Sequence, residues 1–209
     1  MRILGIPIPG EITSRMAVGK RAAAFAAMAL VLSGFSINSH AKDVRPAEAP
    51  RRAGSQVEYR LRMHHLHTGE DIDIVYRIGD TYLPQALDRL NYFLRDHRTQ
   101  DVSSYDPREF DVLHAIMQRL GRPDGVIDIV CGYRSPWSNN FLRSQGPNTG
   151  VAEHSQHTLA KAIDIRVPGV STLSLRNAAL ALHAGGVGFY PVSQFVHVDV
   201  GPVRSWSFR

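Results

Sequence analysis

The strongest constraint on this chain is one acid in apolar company. Asp164 lies inside Ala162-Ile163-Asp164-Ile165-Arg166-Val167, a run with strand character. A fold that buries Ile163 and Ile165 carries the carboxylate to the edge of the core, where an unpaired charge is strongly disfavoured. A cation resolves that cost. A strand over Lys161 to Val167 sets Ala162 and Asp164 on one face, and His157 folds back toward them from the preceding loop. Later, Phe195-Val196-His197-Val198-Asp199 alternates, so Phe195, His197 and Asp199 share a face. His157, Asp164 and His197 then offer two imidazoles and one carboxylate. Three ligands with a fourth position open is the count of a catalytic zinc site; four protein ligands would make it structural. Such a zinc polarises a carbonyl and lowers the pKa of its bound water to about 7.

Other residues near this set carry two readings each. Asp199 is either the general base that takes a proton from the zinc-bound water or an acceptor that orients a histidine ring. Arg134 lies in Gly132-Tyr133-Arg134-Ser135-Pro136, after the expected strand Val126–Cys131. Ser135 is a good N-cap and Pro136 a good first residue for a helix to about Gln145. A guanidinium fixed at that corner either clamps a carboxylate through two hydrogen bonds or makes a structural ion pair. His154 is an alternative ligand, a transition-state donor or, the reading preferred here, a surface residue. No His-Glu-x-x-His helix occurs, so the usual helical metalloprotease pattern does not apply, and the lack of a Gly-x-Ser-x-Gly elbow gives a Ser-His-Asp hydrolase little support.

The 209 residues suit one domain plus a leader. Lys20 and Arg21 precede an apolar run from Ala22 to Ile37, followed by Ser39-His40-Ala41, a small-x-small cleavage pattern. Residues 1–41 are therefore expected to be a signal peptide, with translation starting at Met16, and the mature protein to be periplasmic. The apolar run is short of the roughly 20 residues that span a bilayer, so no stable membrane insertion is expected after cleavage. Residues 1–41 hold four basic residues and one acidic one; without them the net charge falls from +5 to about +2. The basic balance is thus partly a targeting signature and gives no argument for nucleic acid. Residues 42–56, rich in Pro, Ala, Arg and Glu, read as a linker. Residues 57–209 read as the folded domain. Cys131 is the only cysteine, so no intrachain disulfide forms, and it reads as a small buried residue.

Along that domain, Val57–Met63 and Asp71–Tyr76 alternate and form a hairpin. His64, His65 and His67 lie between these runs and read as structural. Leu83–His97 reads as a helix whose end, Arg95-Asp96-His97-Arg98, is solvated. Asp106-Pro107-Arg108-Glu109 reads as a capping box for a second helix that stops at Gly121. Ser171 caps a helix to about Ala184, and Val187–Tyr190 and Phe195–Val200 close the sheet. The class is α+β with a largely antiparallel sheet.

Taken together, Ser155, His157 and Asp164 with the later His197 resemble the zinc D-alanyl-D-alanine peptidase superfamily, whose fold is shared by the hedgehog signalling domain and the lysostaphin-type enzymes. His67-Thr68-Gly69-Glu70, Leu94-Arg95-Asp96-His97-Arg98, Gly132-Tyr133-Arg134-Ser135-Pro136 and Phe195-Val196-His197-Val198-Asp199-Val200-Gly201 are similar to the YcbK-type murein endopeptidases within it. The resemblance covers residues 57–206. It implies zinc held by His157, Asp164 and His197, Arg134 near a substrate carboxylate or the developing oxyanion, and a peptidoglycan peptide cut at an amide bond. Two departures stand out. Ala160 occupies a position where the superfamily usually has glycine. Gln194, three before His197, stands where several carboxypeptidase relatives carry a glutamate base, which leaves Asp199 as the better base candidate. The expected protein is an exported zinc hydrolase cutting peptide cross-links in the cell wall. A carboxypeptidase trimming a terminal residue and a non-catalytic zinc-containing wall-binding module are the alternatives.

Overall fold

Eight strands form one mixed sheet in the order β3-β2-β1-β4-β5-β7-β6-β8. The computed structural model describes residues 56–146 and 149–208; the expected signal peptide and nearly all of the linker lie outside them. The strands are β1 (Glu58–His65), β2 (Asp71–Ile78), β3 (Thr81–Tyr82), β4 (Val126–Cys131), β5 (Ala162–Arg166), β6 (Gly186–Tyr190), β7 (Phe195–Asp199) and β8 (Arg204–Ser207). Among the described residues four α-helices accompany them: α1 (Pro84–Phe93), α2 (Arg108–Arg119), α3 (Pro136–Arg143) and α4 (Thr172–Leu180). The α+β class holds. The sheet is less antiparallel than expected, because β1 with β4 and β6 with β8 run parallel. The first of these pairings needs a crossover, which α1 and α2 supply.

The alternating runs fold as their periodicity demands. Leu61, Met63, Ile72, Ile74 and Tyr76 point inward from the β1–β2 hairpin. They meet Leu90 and Phe93 of α1 and Phe110, Leu113, Ile116 and Met117 of α2. Strand β5 is central, and Ile163 and Ile165 enter this core from it. Alternation therefore turns Asp164 to the other face.

Several local expectations fail for identifiable reasons. The first helix stops at Phe93, because the residues that follow are bound into the fold. Arg95 is buried and pairs with Glu70, and Asp96 is buried and accepts from the backbone N–H groups of Ser135 and Arg98. Arg95-Asp96 is thus a tether between the hairpin and the β4–α3 corner, where the sequence had suggested a solvated end. The capping box does not form. Asp106 accepts from Arg108, and Glu109 turns inward, fully buried, with neither carboxylate oxygen bonded to a described group. Burial pushes its carboxyl well above the usual carboxylate range. The Ser135 and Ser171 caps form as expected, accepting from Ser138 and Ser174.

Of the three histidines expected between the first two strands, His64 and His65 instead end β1; His65 is fully buried, and His67, in the turn, stacks on His97 at 4.0 Å. Burial first, and the neighbouring His67 second, push His65 and His97 down to about 4. Unfolded, both would titrate near 6.5, so between these values the unfolded chain binds more protons. Their contribution to stability is complete above pH 6.5 and is lost as pH falls toward 4. Urea denaturation should show the midpoint dropping across that window. His97→Phe, which keeps the stack on His67, should flatten part of the slope; an equal slope in both proteins would contradict the assignment.

Candidate metal centre

Register builds the site. Cys131 on β4 pairs with Asp164 on β5, Asp164 pairs with His197 on β7, His197 with Gly188 on β6, and Gly188 with Trp206 on β8. A single row across five strands thus carries the thiol, the carboxylate and one imidazole. A bulge between Ile129 and Cys131 shifts the β4–β5 register and brings Cys131 opposite Asp164. His157 arrives from outside the sheet, on a one-turn 3-10 helix (Gln156–Leu159) capped by Ser155. Ala160 ends that turn in the left-handed region, at φ 50°. The glycine usual there in the resembling superfamily would adopt this conformation without the penalty a Cβ carries.

The three expected donors converge. His157 Nε2 lies 3.2 Å from Asp164 Oδ1 and 3.1 Å from His197 Nδ1, and His197 Nδ1 lies 3.0 Å from Asp164 Oδ1. The outer ring nitrogens fix the tautomers. His157 Nδ1 faces the Gly132 carbonyl at 2.8 Å, and His197 Nε2 faces Asp199 Oδ2 at 2.9 Å. A carbonyl and a carboxylate only accept, so both outer nitrogens carry the hydrogens. In the neutral rings the inner nitrogens then present lone pairs, and three acceptors face one another. A tetrahedral cation with bonds of about 2.0–2.1 Å has donor–donor edges of roughly 3.3 Å, close to the spacings observed. The donor set therefore fits a divalent zinc-like ion. Without one, a proton substitutes: burial disfavours a charged His157, but Asp164 outweighs it and holds the imidazole up to about 10. Asp164 is held well below the usual carboxylate range by His157 and His197, against the opposing effect of burial.

Sequence reasoning missed part of the surroundings. Cys131 Sγ, a His157 nitrogen and an Asp164 oxygen also lie within 4.8 Å of one another, a second possible donor group. Cys131 is buried, as expected, but beside the chemistry. Arg204 was not singled out at all; its guanidinium makes bonds of 3.0 and 2.7 Å to the two oxygens of Asp199. Asp199 also accepts from the N–H groups of Gly186 and Gly201, and its side chain is fully buried. Against the opposing effect of burial, His197 first, then Arg204 and the Gly186 N–H, hold Asp199 below the usual carboxylate range.

The centre opens into a cleft of about 170 Å³ lined by Arg134, His154, His157, Asp164, Tyr190, His197 and Trp206, among others. Asp199 is not part of that lining. Arg134 is buried, with Nη2 3.9 Å from Asp164 Oδ2 and 3.5 Å from Cys131 Sγ. His154 is exposed at the rim, and Gln194 is exposed in the β6–β7 turn. A larger hollow between β2 and α1, about 610 Å³, is lined by Ile74, Leu83, Ala86 and Arg89 with no histidine or cysteine.

Comparison with known proteins places the chain in a family. The family model described as peptidoglycan L,D-endopeptidase MepK matches residues 53–206. The Escherichia coli K12 protein named peptidoglycan L,D-endopeptidase MepK is 42% identical over 146 residues, which cover 70% of this chain and 79% of that protein. A Haemophilus influenzae protein named probable peptidoglycan L,D-endopeptidase MepK is 40% identical over 146 residues, covering 70% and 77%. No solved structure matches.

Arg204→Ala should lower stability by about 1–3 kcal/mol, because it removes two bonds from a buried carboxylate that keeps its other donors. Urea denaturation measures this. An unchanged midpoint would mean that the pair is energetically idle.

Proposed function

We propose that this chain, a member of the peptidoglycan L,D-endopeptidase MepK family, hydrolyses L,D peptide cross-links of the cell wall at a zinc centre formed by His157, Asp164 and His197. The observation that carries this reading is the set of three inward-facing acceptor atoms within 3.2 Å of one another. The matched family and the names of its relatives favour an endopeptidase over a terminal-residue carboxypeptidase or a non-catalytic wall-binding module. A fold of the D-alanyl-D-alanine peptidase and hedgehog kind is part of the proposal. So is the division into an export signal over 1–41, a linker over 42–56 and the enzyme domain over 57–209, located in the periplasm. The family match runs over residues 53–206, so it begins within the linker as read and covers nearly all of the proposed domain. Among the described residues no helix is long and apolar enough to cross a membrane.

A bound zinc would supply Lewis acidity toward the amide carbonyl and an acidified water. The chain's own groups do the rest. Gly132 and Asp199 hold the His157 and His197 rings in the tautomers that turn lone pairs inward. Arg134, fixed where β4 gives way to α3, places cationic donors beside the cleft for the substrate carbonyl or a nearby carboxylate. Asp199 acts as a positioning residue. Its oxygens are occupied by His197, Arg204 and two backbone donors, so the alternative role of general base has no lone pair directed at the cleft to support it.

A second donor set, with Cys131 in place of His197, is favoured by the proximity of Cys131 to His157 and Asp164. We prefer His197, because both of its neighbours in the trio lie within hydrogen-bond distance while Cys131 Sγ is engaged with Arg134.

Digestion of purified, cross-linked muropeptides followed by mass spectrometry tests the function. L,D-linked dimers should disappear, and a chelator should stop the reaction. Loss of terminal residues alone, or no product with zinc bound, would contradict it. Asp199→Asn should weaken zinc affinity by about 10–100-fold, because the amide no longer fixes the His197 ring. Unchanged zinc affinity in that variant would exclude the positioning role.

A further inference from the structure

Tyr190 closes β6 and lines the same cleft as Arg134, Asp164 and His197. It is two residues from Gly188 and shares its face of the sheet, the face that bears the site row. Two aromatic neighbours pack near the ring. It stacks on Phe195 at 4.3 Å and lies 5.9 Å from Phe208.

The hydroxyl is held as well, and with a fixed polarity. Trp206 Nε1 lies 3.1 Å from Tyr190 Oη. An indole N–H only donates, so the phenol oxygen is the acceptor in that bond. The phenol hydrogen then has no protein acceptor among the described residues. The indole itself is kept in place by Gly188, where a Cβ would come within 2.6 Å of the Trp206 ring. Trp206 also leans on His197, with ring centres 5.1 Å apart. The bond from the tail strand thus leaves one unspent donor on a side chain that lines the cleft. Burial pushes the phenol up, so the hydrogen is retained at working pH.

From this geometry, and resting on the zinc-endopeptidase reading above, we propose that the Tyr190 hydroxyl is a catalytic hydrogen-bond donor to the carbonyl oxygen of the scissile amide. The bond strengthens as that oxygen gains negative charge in the tetrahedral transition state. The phenol gives up no proton: the oxygen of the attacking water bonds to the carbonyl carbon, the carbonyl oxygen returns its charge as the C–N bond breaks, and the amine leaves with a proton that came from that water. Arg134 approaches the cleft from the β4–α3 corner and Tyr190 from the β6–β7 hairpin, so the two donors reach it from different elements.

The test uses the zinc-loaded protein and a synthetic L,D-cross-linked peptide. Tyr190→Phe keeps the stack on Phe195 and removes only the hydroxyl. Its kcat should fall by about 100-fold with KM within about twofold, as for the loss of an oxyanion donor. Zinc content should be unchanged. A structural role predicts something else, since Tyr190→Phe also leaves the Trp206 N–H without its acceptor. In that case Trp206→Phe would remove the orphaned donor, and the double variant would recover activity. The proposal expects Trp206→Phe to fall by less than about tenfold and the double variant to be as slow as Tyr190→Phe. The proposal is overturned by a Tyr190→Phe kcat within about twofold of wild type, by recovery in the double variant, or by loss of zinc from Tyr190→Phe. Failure of the wild type to cut the peptide would overturn the underlying endopeptidase reading as well, so the two failures are distinct.

Discussion

Three lone pairs directed at one another are the constraint on which the rest depends. His157 Nε2, Asp164 Oδ1 and His197 Nδ1 stand 3.0–3.2 Å apart with both outer ring nitrogens already committed to acceptors. Neutral imidazoles cannot hydrogen-bond across that gap. Something positive has to occupy it, either a metal or a proton, and the two compete. Cation binding at such a centre releases protons, so affinity rises with pH. The strongly polarised state of His157 and Asp164 is the electrostatic counterpart of this competition.

The sheet makes that arrangement cheap to hold. Side chains from adjacent paired strands already stand near one another, so one cross-strand row delivers Asp164 and His197 without any loop having to be ordered for them. The core on the opposite face, with Ile163 and Ile165 from the same strand, fixes β5 against slippage. A one-residue slip would exchange Asp164 for a core isoleucine. Loops contribute what the sheet does not: His157 on its capped turn and Arg134 on its strand-to-helix corner. Both are tied to Gly132, whose carbonyl receives His157 and which lies so close to Leu94 that a Cβ would come within 2.5 Å of that residue's carbonyl oxygen. Asp96 pins the same corner through Ser135.

Much of this was legible in the sequence because it follows from periodicity. Alternation in Phe195–Asp199 placed His197 and Asp199 on one face, and the apolar setting of Asp164 announced that a positive partner was required. Serine caps and the glycine–proline corner fixed the entry to α3. What was not legible involved register and tertiary pairing. The β4 bulge moved Cys131 onto the site face, and nothing in Val126–Cys131 signals a bulge. Strand β8 is four residues long, too short for its pattern to be read, so Arg204 and Trp206 went unnoticed. A basic residue five after Asp199 was the available signal for Arg204. The capping-box pattern at Asp106 was overridden because Asp106 found Arg108 and Glu109 was drawn inward. The buried Arg95-Asp96 pair looked like a surface charge run because its partners lie 25 and 39 residues away.

Metal stoichiometry in three purified proteins tests the central claim most directly. The wild type and Cys131→Ser should each bind one zinc per chain by elemental analysis after dialysis, and His197→Ala should bind it far more weakly. Loss of zinc from Cys131→Ser, with retention in His197→Ala, would contradict the account, because the cation would then sit among a different set of donors.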